Sequence, residues 1–573
     1  MRYRSVISAF NRSLSARGIL GAVAMTAVAL AAAKAATLIW DASGDSPAAP
    51  MDGSGAWTSG ALYFSNGAAD GATGSSDIAV FGDGGALGST AIVDVGTQAI
   101  GGLIFGATMT SGYSLVGNAA SQVLTIGSSG MVMNAGAQAA SVGDPNLSLA
   151  LGASQTWSNN SSSLLTVNAP AISNGGNGLT LGATSSGGIA ISGAIGGGAG
   201  GVTVNSTGSG VVTMTGANTY TGTTTVISGA LTGAQTSGTP FGTGAITLDG
   251  GVLSVAPTGS GSGVTLTGAS AAAGTHFTIG GGATLSLNKG AETSLTYTVG
   301  DTGTVLARVN QGTLVIVESA SGTLGSATGE RFIINGTAPP ANSSNLFLLN
   351  LPIVVQTSPS NSTADFLTYG ATNGFASTAA NYTTVPAGTV PTTAAGAIWN
   401  VTGNASVTGT VTNKLGAIRV GAFTLTIGTG TTAKTLSLGS SLANLAPIIL
   451  NGGAMAPATA NSTTQTLTLF AGAAPIYTSS AGGAISVPIF GSGSSLTLFG
   501  PGTLTLSGAN AFTGGVTLNS GTVNIDNATG LGTAAGGFAI NGGSVDNTSG
   551  GAITTASYPI TINGEEVAVQ AHR

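Results

Sequence analysis

Glu330 and Arg331 stand side by side in GERFIING, a carboxylate next to a guanidinium. Carbohydrate-cleaving enzymes need paired carboxylates, or an arginine with acidic calcium ligands. A polysaccharide-acting enzyme is therefore the sharper alternative to test. Past residue 35 the arginines are Arg308, Arg331, Arg419 and Arg573, and the acids are widely spaced apart from the Glu565-Glu566 pair. The plainer reading of Glu330-Arg331 is a solvated loop pair. His276, in GTHFTIG, and His572 are the only histidines, so a histidine triad or zinc site lacks partners. His276 reads as a strand residue near a turn and His572 as part of a terminal tail. Asp41, Asp45 and Asp52 cluster in a Gly/Pro-rich segment that suits calcium in composition but lacks a D-x-D-x-D-G loop. Asp83 and Asp249 adjoin glycines, where turn formation accounts for them. There is no G-x-S-x-G, no H-E-x-x-H and no Gly-Lys pair for a P-loop. The expectation is no catalytic residue, no cofactor and no metal site.

The composition says what the chain is built from instead. Of 573 residues, 96 are glycine and none is cysteine; 5% are charged and 42% hydrophobic, with mean hydropathy +0.41. Disordered chains are charged and poor in apolar residues, so this one folds, with a surface hydrated by hydroxyls and amides. Five of the twelve basic residues, Arg2, Arg4, Arg12, Arg17 and Lys34, precede every acid. Sixteen uncharged residues, Gly18 to Ala33, follow Arg17 and lead to Ala33-Lys34-Ala35, a small-x-small pattern. This is the layout of a signal peptide at 1–35, cut between Ala35 and Ala36. The remainder is acidic with no basic patch, which argues against nucleic acid, and it holds no second apolar run long enough for a helical span.

Past residue 40 the apolar residues alternate with Thr and Ser: LTL at 179–181, LSL at 285–287, LTI at 425–427, LTL at 504–506. Period two with glycine at each end predicts short strands with one buried face. One phrase recurs. GVVTMTGANTYTGTTTVISGALT at 210–232 and GTLTLSGANAFTGGVTLNSGTVN at 502–524 share ten of 23 positions. FGTGAITLDGG and LGTAAGGFAINGG follow them at 241–251 and 531–543. The shared marks are Gly216, Asn218, Gly222 and Gly229 in one copy and Gly508, Asn510, Gly514 and Gly521 in the other, with Tyr220 and Phe512 aromatic at one position. Glycine and asparagine suit corners. A repeated aromatic at a fixed place packs on a neighbour, the alternative being a sugar-stacking platform. A coil that cannot bury its apolar face alone must stack on others about 4.8 Å away.

The two phrases resemble the autotransporter-associated β-strand repeat, also called the passenger-associated transport repeat. Residues 500–523 match its pattern closely and 208–231 nearly as well, and ATLIWDASGDSPAAP at 36–50 resembles mature starts of large secreted proteins that carry it. The resemblance implies an all-β, right-handed parallel β-helix displayed outside a Gram-negative-type cell; an array of β-sandwich-like units is the alternative fold. The expected layout is a cap at 36–85, solenoid at 86–328, an irregular or β insert at 329–400 bearing Pro339, Pro340, Pro352, Pro359, Pro386 and Pro391, solenoid at 401–564 and a tail at 565–573. About twenty rungs would extend on the order of 100 Å as one stack. Family members that export themselves end in a membrane β-barrel, which the last fifty residues do not suggest. The function expected is a non-catalytic, structural or adhesive surface passenger. Its partners would be surface glycans, host or neighbouring-cell surfaces, or further copies of itself; a fragment of a larger autotransporter is a third reading.

Overall fold

The alternating segments become short strands, and glycine-rich corners turn the chain between them. The computed structural model describes residues 35–569 apart from 45–48, 85–88, 302–305, 337–351, 357–362, 378–381, 391–395, 410–413, 440–444, 564–567 and a few single or paired positions. The leader through Lys34 lies outside the described residues, as do Asp45, Pro339, Pro340, Pro359, Pro391, Glu565, Glu566, His572 and Arg573. Among the described residues no helix is long and apolar enough to cross a membrane.

Strands pair in parallel with their counterparts one coil further on. Val202–Asn205 lies beside Thr224–Ser228, then Ile246–Leu248, then Phe277–Ile279. A second ladder runs through Val211–Met214, Ala230–Gly233, Val252–Val255 and Gly282–Leu287. A third joins Gly263–Gly268, Ser294–Val299 and Glu330–Ile334. These parallel ladders make the fold a β-solenoid and set aside the sandwich array, whose strands would pair antiparallel. Alternation puts like on like. Val212, Leu231, Leu253 and Leu285 stack in one fully buried column, and Thr213, Thr232, Ser254 and Ser286 form the outward column beside it. Burying each large apolar side chain contributes about 1.5–3 kcal/mol, which a lone coil cannot collect. At the N-terminal end, Trp40 and Trp57 pack edge-on against Phe64 at 5.3 and 5.2 Å, beside an antiparallel pairing of Phe64–Ser65 with Asp70–Gly71.

The rungs do not form the single stack expected from the sequence. Twelve parallel strands in one ladder lead to Ile353–Gln356, where the chain turns back through the antiparallel hairpin Ala364–Gly370 and Gly374–Ser377. A second stack follows, with two ladders of nine parallel strands each. The stacks lie side by side and run in opposite senses: the hairpin's Ala364 meets Asn451, Gln356 meets Tyr477, Thr313 meets Asn519 and Asn310 meets Asn541. The physical cause is apolar residues on outward faces. Val315, Val317, Val354 and Phe366 of the first stack and hairpin cluster with Ile398, Ala417, Ile449, Tyr477 and Phe499 of the second, all buried. Each stack also keeps its own core.

Candidate functional site

The residues first considered for chemistry are spread over the molecule. Glu330 and Arg331 sit in a strand whose burial alternates, so Glu330, Phe332 and Ile334 face inward while Arg331 faces the other way. Glu330 is 0% exposed, which corrects the expectation of a solvated pair. One of its carboxylate oxygens accepts the backbone N–H of Lys289 at 3.2 Å and the hydroxyl of Ser319. His276 directly precedes the strand Phe277–Ile279; its ring Nε2 lies 2.8 Å from the carboxylate of Asp301. In the N-terminal segment, Asp41 accepts from Ser43 and from the Met51 N–H, while Asp52 accepts from the N–H groups of Gly82 and Gly84 and from the Tyr113 hydroxyl at 2.6 Å. Among the described residues no three acids or histidines gather as metal ligands. Asp83 and Asp249 are alike: a Cβ on Gly106 would fall 2.0 Å from one carboxylate, and a Cβ on Gly280 2.2 Å from the other. Corner aspartates thus press on a glycine of the next coil. Burial raises the Asp249 carboxyl above its ordinary range, opposed by the Gly281 N–H.

A cleft of about 440 Å³ lies between the stacks. Asn519, Asn541 and Asn563 form its most regular wall. The Asn541 amide donates to the Asn519 carbonyl at 2.7 Å, and Asn563 donates to Asn541 at 2.8 Å. Asn519 also donates across the seam to the Gln311 carbonyl at 2.9 Å. Opposite stand Ser206, Ser228 and Asn310, with Asp249 as the single acid in the lining. The arrangement offers amides, hydroxyls and one carboxylate. That suits hydrogen bonding to a polar neutral ligand and lacks the second carboxylate of glycoside hydrolysis. This ladder was missed from the sequence, although each asparagine ends an apolar strand, LNS, INGG and ING, at a constant spacing of 22 residues.

The repeated phrase is the other candidate. Asn218 is 0% exposed and lies on the stretch joining two ladders. Its carbonyl accepts the Ile195 N–H from the coil before at 2.9 Å, and its amide donates to the Pro240 carbonyl of the coil after at 2.6 Å. Asn510 does the same with the Ile489 N–H at 2.9 Å and the Gly530 carbonyl at 2.8 Å. These partners lie in the neighbouring coils on both sides.

Comparison with known proteins picks out the same two segments. The passenger-associated-transport-repeat family matches at residues 207–232 and 496–525. The chain carries two passenger-associated transport repeats. No curated protein and no solved structure matches it. One repeat lies in each stack, and both use their glycines alike. A Cβ on Gly216 would approach the Gly193 carbonyl oxygen to 2.4 Å, and one on Gly508 the Val487 oxygen to 2.7 Å. Gly222 and Gly514 are similarly pressed on Ala199 and Ser494. Close approach to the coil beneath, rather than positive φ, excludes side chains at those four positions. Gly229 and Gly521 do take positive φ, +73° and +79°.

The aromatic of each repeat is sealed by its tail. Tyr220 and Phe512 are both 0% exposed, which leaves no ring face for a sugar. The tail glycine lies on the ring: a Cβ on Gly242 would sit 2.6 Å from Tyr220 and one on Gly532 2.7 Å from Phe512. Thr243 and Thr533 then donate their N–H groups to the carbonyls of Tyr220 and Phe512. The Tyr220 hydroxyl bonds Thr224 at 2.7 Å, a partner Phe512 does not need. The repeats are thus working coils of the solenoid, each stitched to the coils on both sides.

Proposed function

We propose that the chain is an exported surface passenger with a structural and adhesive role, and not an enzyme. The observation that carries this is the pair of passenger-associated transport repeats, each built into a coil with the same asparagine and glycine geometry. A signal peptide at 1–35 delivers the chain to the cell envelope, and the solenoid stands at the surface of a Gram-negative-type cell. Its outward columns of Thr and Ser hydrate a chain that is 5% charged. Such faces meet surface glycans or another cell by many hydrogen bonds, and the asparagine-lined cleft offers amides and hydroxyls to a polar ligand. Glu330 supports the non-catalytic reading, because its carboxylate is buried facing inward, with one oxygen accepting from Lys289 and Ser319, and its neighbour Arg331 faces the other way.

The test compares cells producing the protein with a deletion strain. Protease should remove the protein from intact cells, and attachment or cell–cell aggregation should fall in the deletion strain. Protein retained in the cytoplasm with Met1 intact would refute export. Reproducible cleavage in a panel of acidic and neutral polysaccharides, abolished by Glu330→Ala or Arg331→Ala, would refute the non-catalytic part.

A further inference from the structure

Resting on the export reading, we propose that Asp77 is the receptor for the α-ammonium group created when the chain is cut between Ala35 and Ala36. In the uncut chain the backbone N–H of Ala36 donates to Asp77 Oδ1 at 2.9 Å. The other carboxylate oxygen accepts the Gly74 N–H at 2.7 Å, so the carboxylate is held in place by its own turn. The Ala36 carbonyl accepts the Ile78 N–H at 2.8 Å, and Thr37, Leu38 and Ile39 continue in parallel register with Ile78, Ala79 and Val80. The Asp77 carbonyl in turn accepts the Gly101 N–H of the next coil at 2.7 Å. Asp77 therefore joins the first strand, a turn and the following coil.

Hydrolysis by an envelope peptidase adds the hydroxyl of water to the Ala35 carbonyl carbon and a proton to the Ala36 nitrogen. That nitrogen takes a second proton from solvent, since an α-amino group titrates near 7.7–8.0. The atom that donated as a neutral amide then donates as a cation to the same carboxylate, and charge assistance roughly doubles the strength of such a bond. Position matters. A start at Thr37 removes the donor, and a longer start leaves it neutral, because one residue of strand spans about 3.3 Å. Processing and the locking of the first strand become one event. The first parallel strand, covered on its other side by Phe64–Ser65 only at Ile39 and Trp40, is tightened at its start only in the cut protein.

The experiment sets the terminus directly, with a removable fusion partner that leaves Ala36 first, Thr37 first, or extra residues before Ala36. Hydrogen exchange at Leu38–Trp40 and Ala79–Val80 is the readout. Exchange should be roughly 3- to 10-fold slower for the Ala36 start than for the extended start. The difference should vanish in Asp77→Asn and on acetylation of Ala36, which removes the charge and keeps an N–H. Equal exchange for the two starts, or a difference that survives acetylation, would overturn the latch. Sequencing the N-terminus of protein from producing cells separates the two ideas. A native start other than Ala36 overturns the coupling to processing together with the cleavage expected for export. A native start at Ala36 with equal exchange overturns the latch alone.

Discussion

Asn218 and Asn510, in different stacks, each accept an N–H from the coil before and donate to a carbonyl of the coil after, with four bonds between 2.6 and 2.9 Å. A flat ladder cannot pair these backbone groups because the chain is leaving one sheet for the next, so a side chain with one acceptor and one donor takes their place. Asparagine has the right length and both functions; serine lacks the reach and aspartate the donor. Asn218→Ala or Asn510→Ala leaves a buried N–H and a buried carbonyl unpaired, at about 1–3 kcal/mol for each group. Asn→Asp should cost as much or more at neutral pH, since a carboxylate then faces the Pro240 or Gly530 carbonyl. Denaturant melts read the loss, and wild-type stability in both alanine variants would show the straps to be incidental.

The glycine over the ring should be as exacting as the asparagine. Gly242→Ala and Gly532→Ala place a methyl into the face of Tyr220 and Phe512 and force an alanine to φ +69° and +81°. The expected cost is about 2–4 kcal/mol. Truncating the ring, in Phe512→Leu, should itself destabilise, but the double variant should lose less than the sum of the two. A double-mutant cycle measures that coupling. Strict additivity would mean that the ring and the glycine do not press on each other.

The inward and outward sides of the second repeat make a sharper contrast. Leu506 is 0% exposed within the strand Thr503–Leu506, while Thr505 lies on the other face, where its hydroxyl accepts from Asn524 at 3.3 Å. Leu506→Asp buries an unpaired carboxylate and should cost several kcal/mol, roughly 4 or more. Thr505→Asp should stay within about 1 kcal/mol. An equal or reversed order in urea melts would mean that the strand presents its other face.

The N-terminal segment carries two carboxylates with opposite pH behaviour. Burial pushes Asp41 up, but hydrogen bonds from Ser43 and Met51 outweigh it and leave the carboxyl below its ordinary value. Asp41 therefore contributes stability above the unfolded carboxylate range, near pH 3.9, and loses it as pH falls through the lowered value. Asp52 is raised, chiefly by burial, against the bonds from Tyr113, Gly82 and Gly84. Its contribution is greatest at acid pH and declines as pH rises through the raised value. The stability gap between wild type and Asp41→Asn should close on acidification, whereas the gap to Asp52→Asn should widen. Titrating hydrogen exchange at Leu38–Trp40 and Ala79–Phe81 checks both signs.

Much of this was legible because alternation within a strand and repetition between coils are local. Leu504 and Leu506 against Thr503 and Thr505 gave the face, and the phrase around Asn510 gave the coil. Glu330 was legible too, since it shares parity with Phe332 and Ile334, yet its neighbour Arg331 drew it toward a surface reading. The side-by-side stacks were harder. TLVIV at 313–317, PIVV at 352–355, IIL at 448–450 and AAPIY at 473–477 break the alternation, which marks strands buried on both faces. What no single segment reveals is the partner of the second face. That depends on where the chain reverses, and the reversal lies in the hairpin Ala364–Ser377, far from most of the strands it brings together.

The seam itself supplies the last prediction. Ile448 and Leu450 point into the second stack's core, while Ile449 between them points outward into the cluster with Val315, Val354 and Phe366. Beside it the Asn451 side chain clamps the hairpin, accepting from the Ala364 N–H at 2.9 Å and donating to its carbonyl at 3.0 Å. Arg419 adds a bond to that carbonyl at 3.0 Å and lies 3.7 Å from the Asp365 carboxylate. Ile449→Asp together with Asn451→Ala should part the stacks and leave each ladder paired, because every rung keeps its neighbours within its own stack. Melting should then resolve two transitions where wild type shows one, with exchange at Val315–Val317 and Ile353–Val355 sped before that at Leu285 or Leu498. Leu450→Asp is the control: it strikes the second core directly and should cost several kcal/mol there while sparing the first stack. If the seam variant instead unfolds in one step with both cores lost together, the stacks are a single cooperative unit, and the outward apolar runs belong to one folding core instead of a docking surface between two.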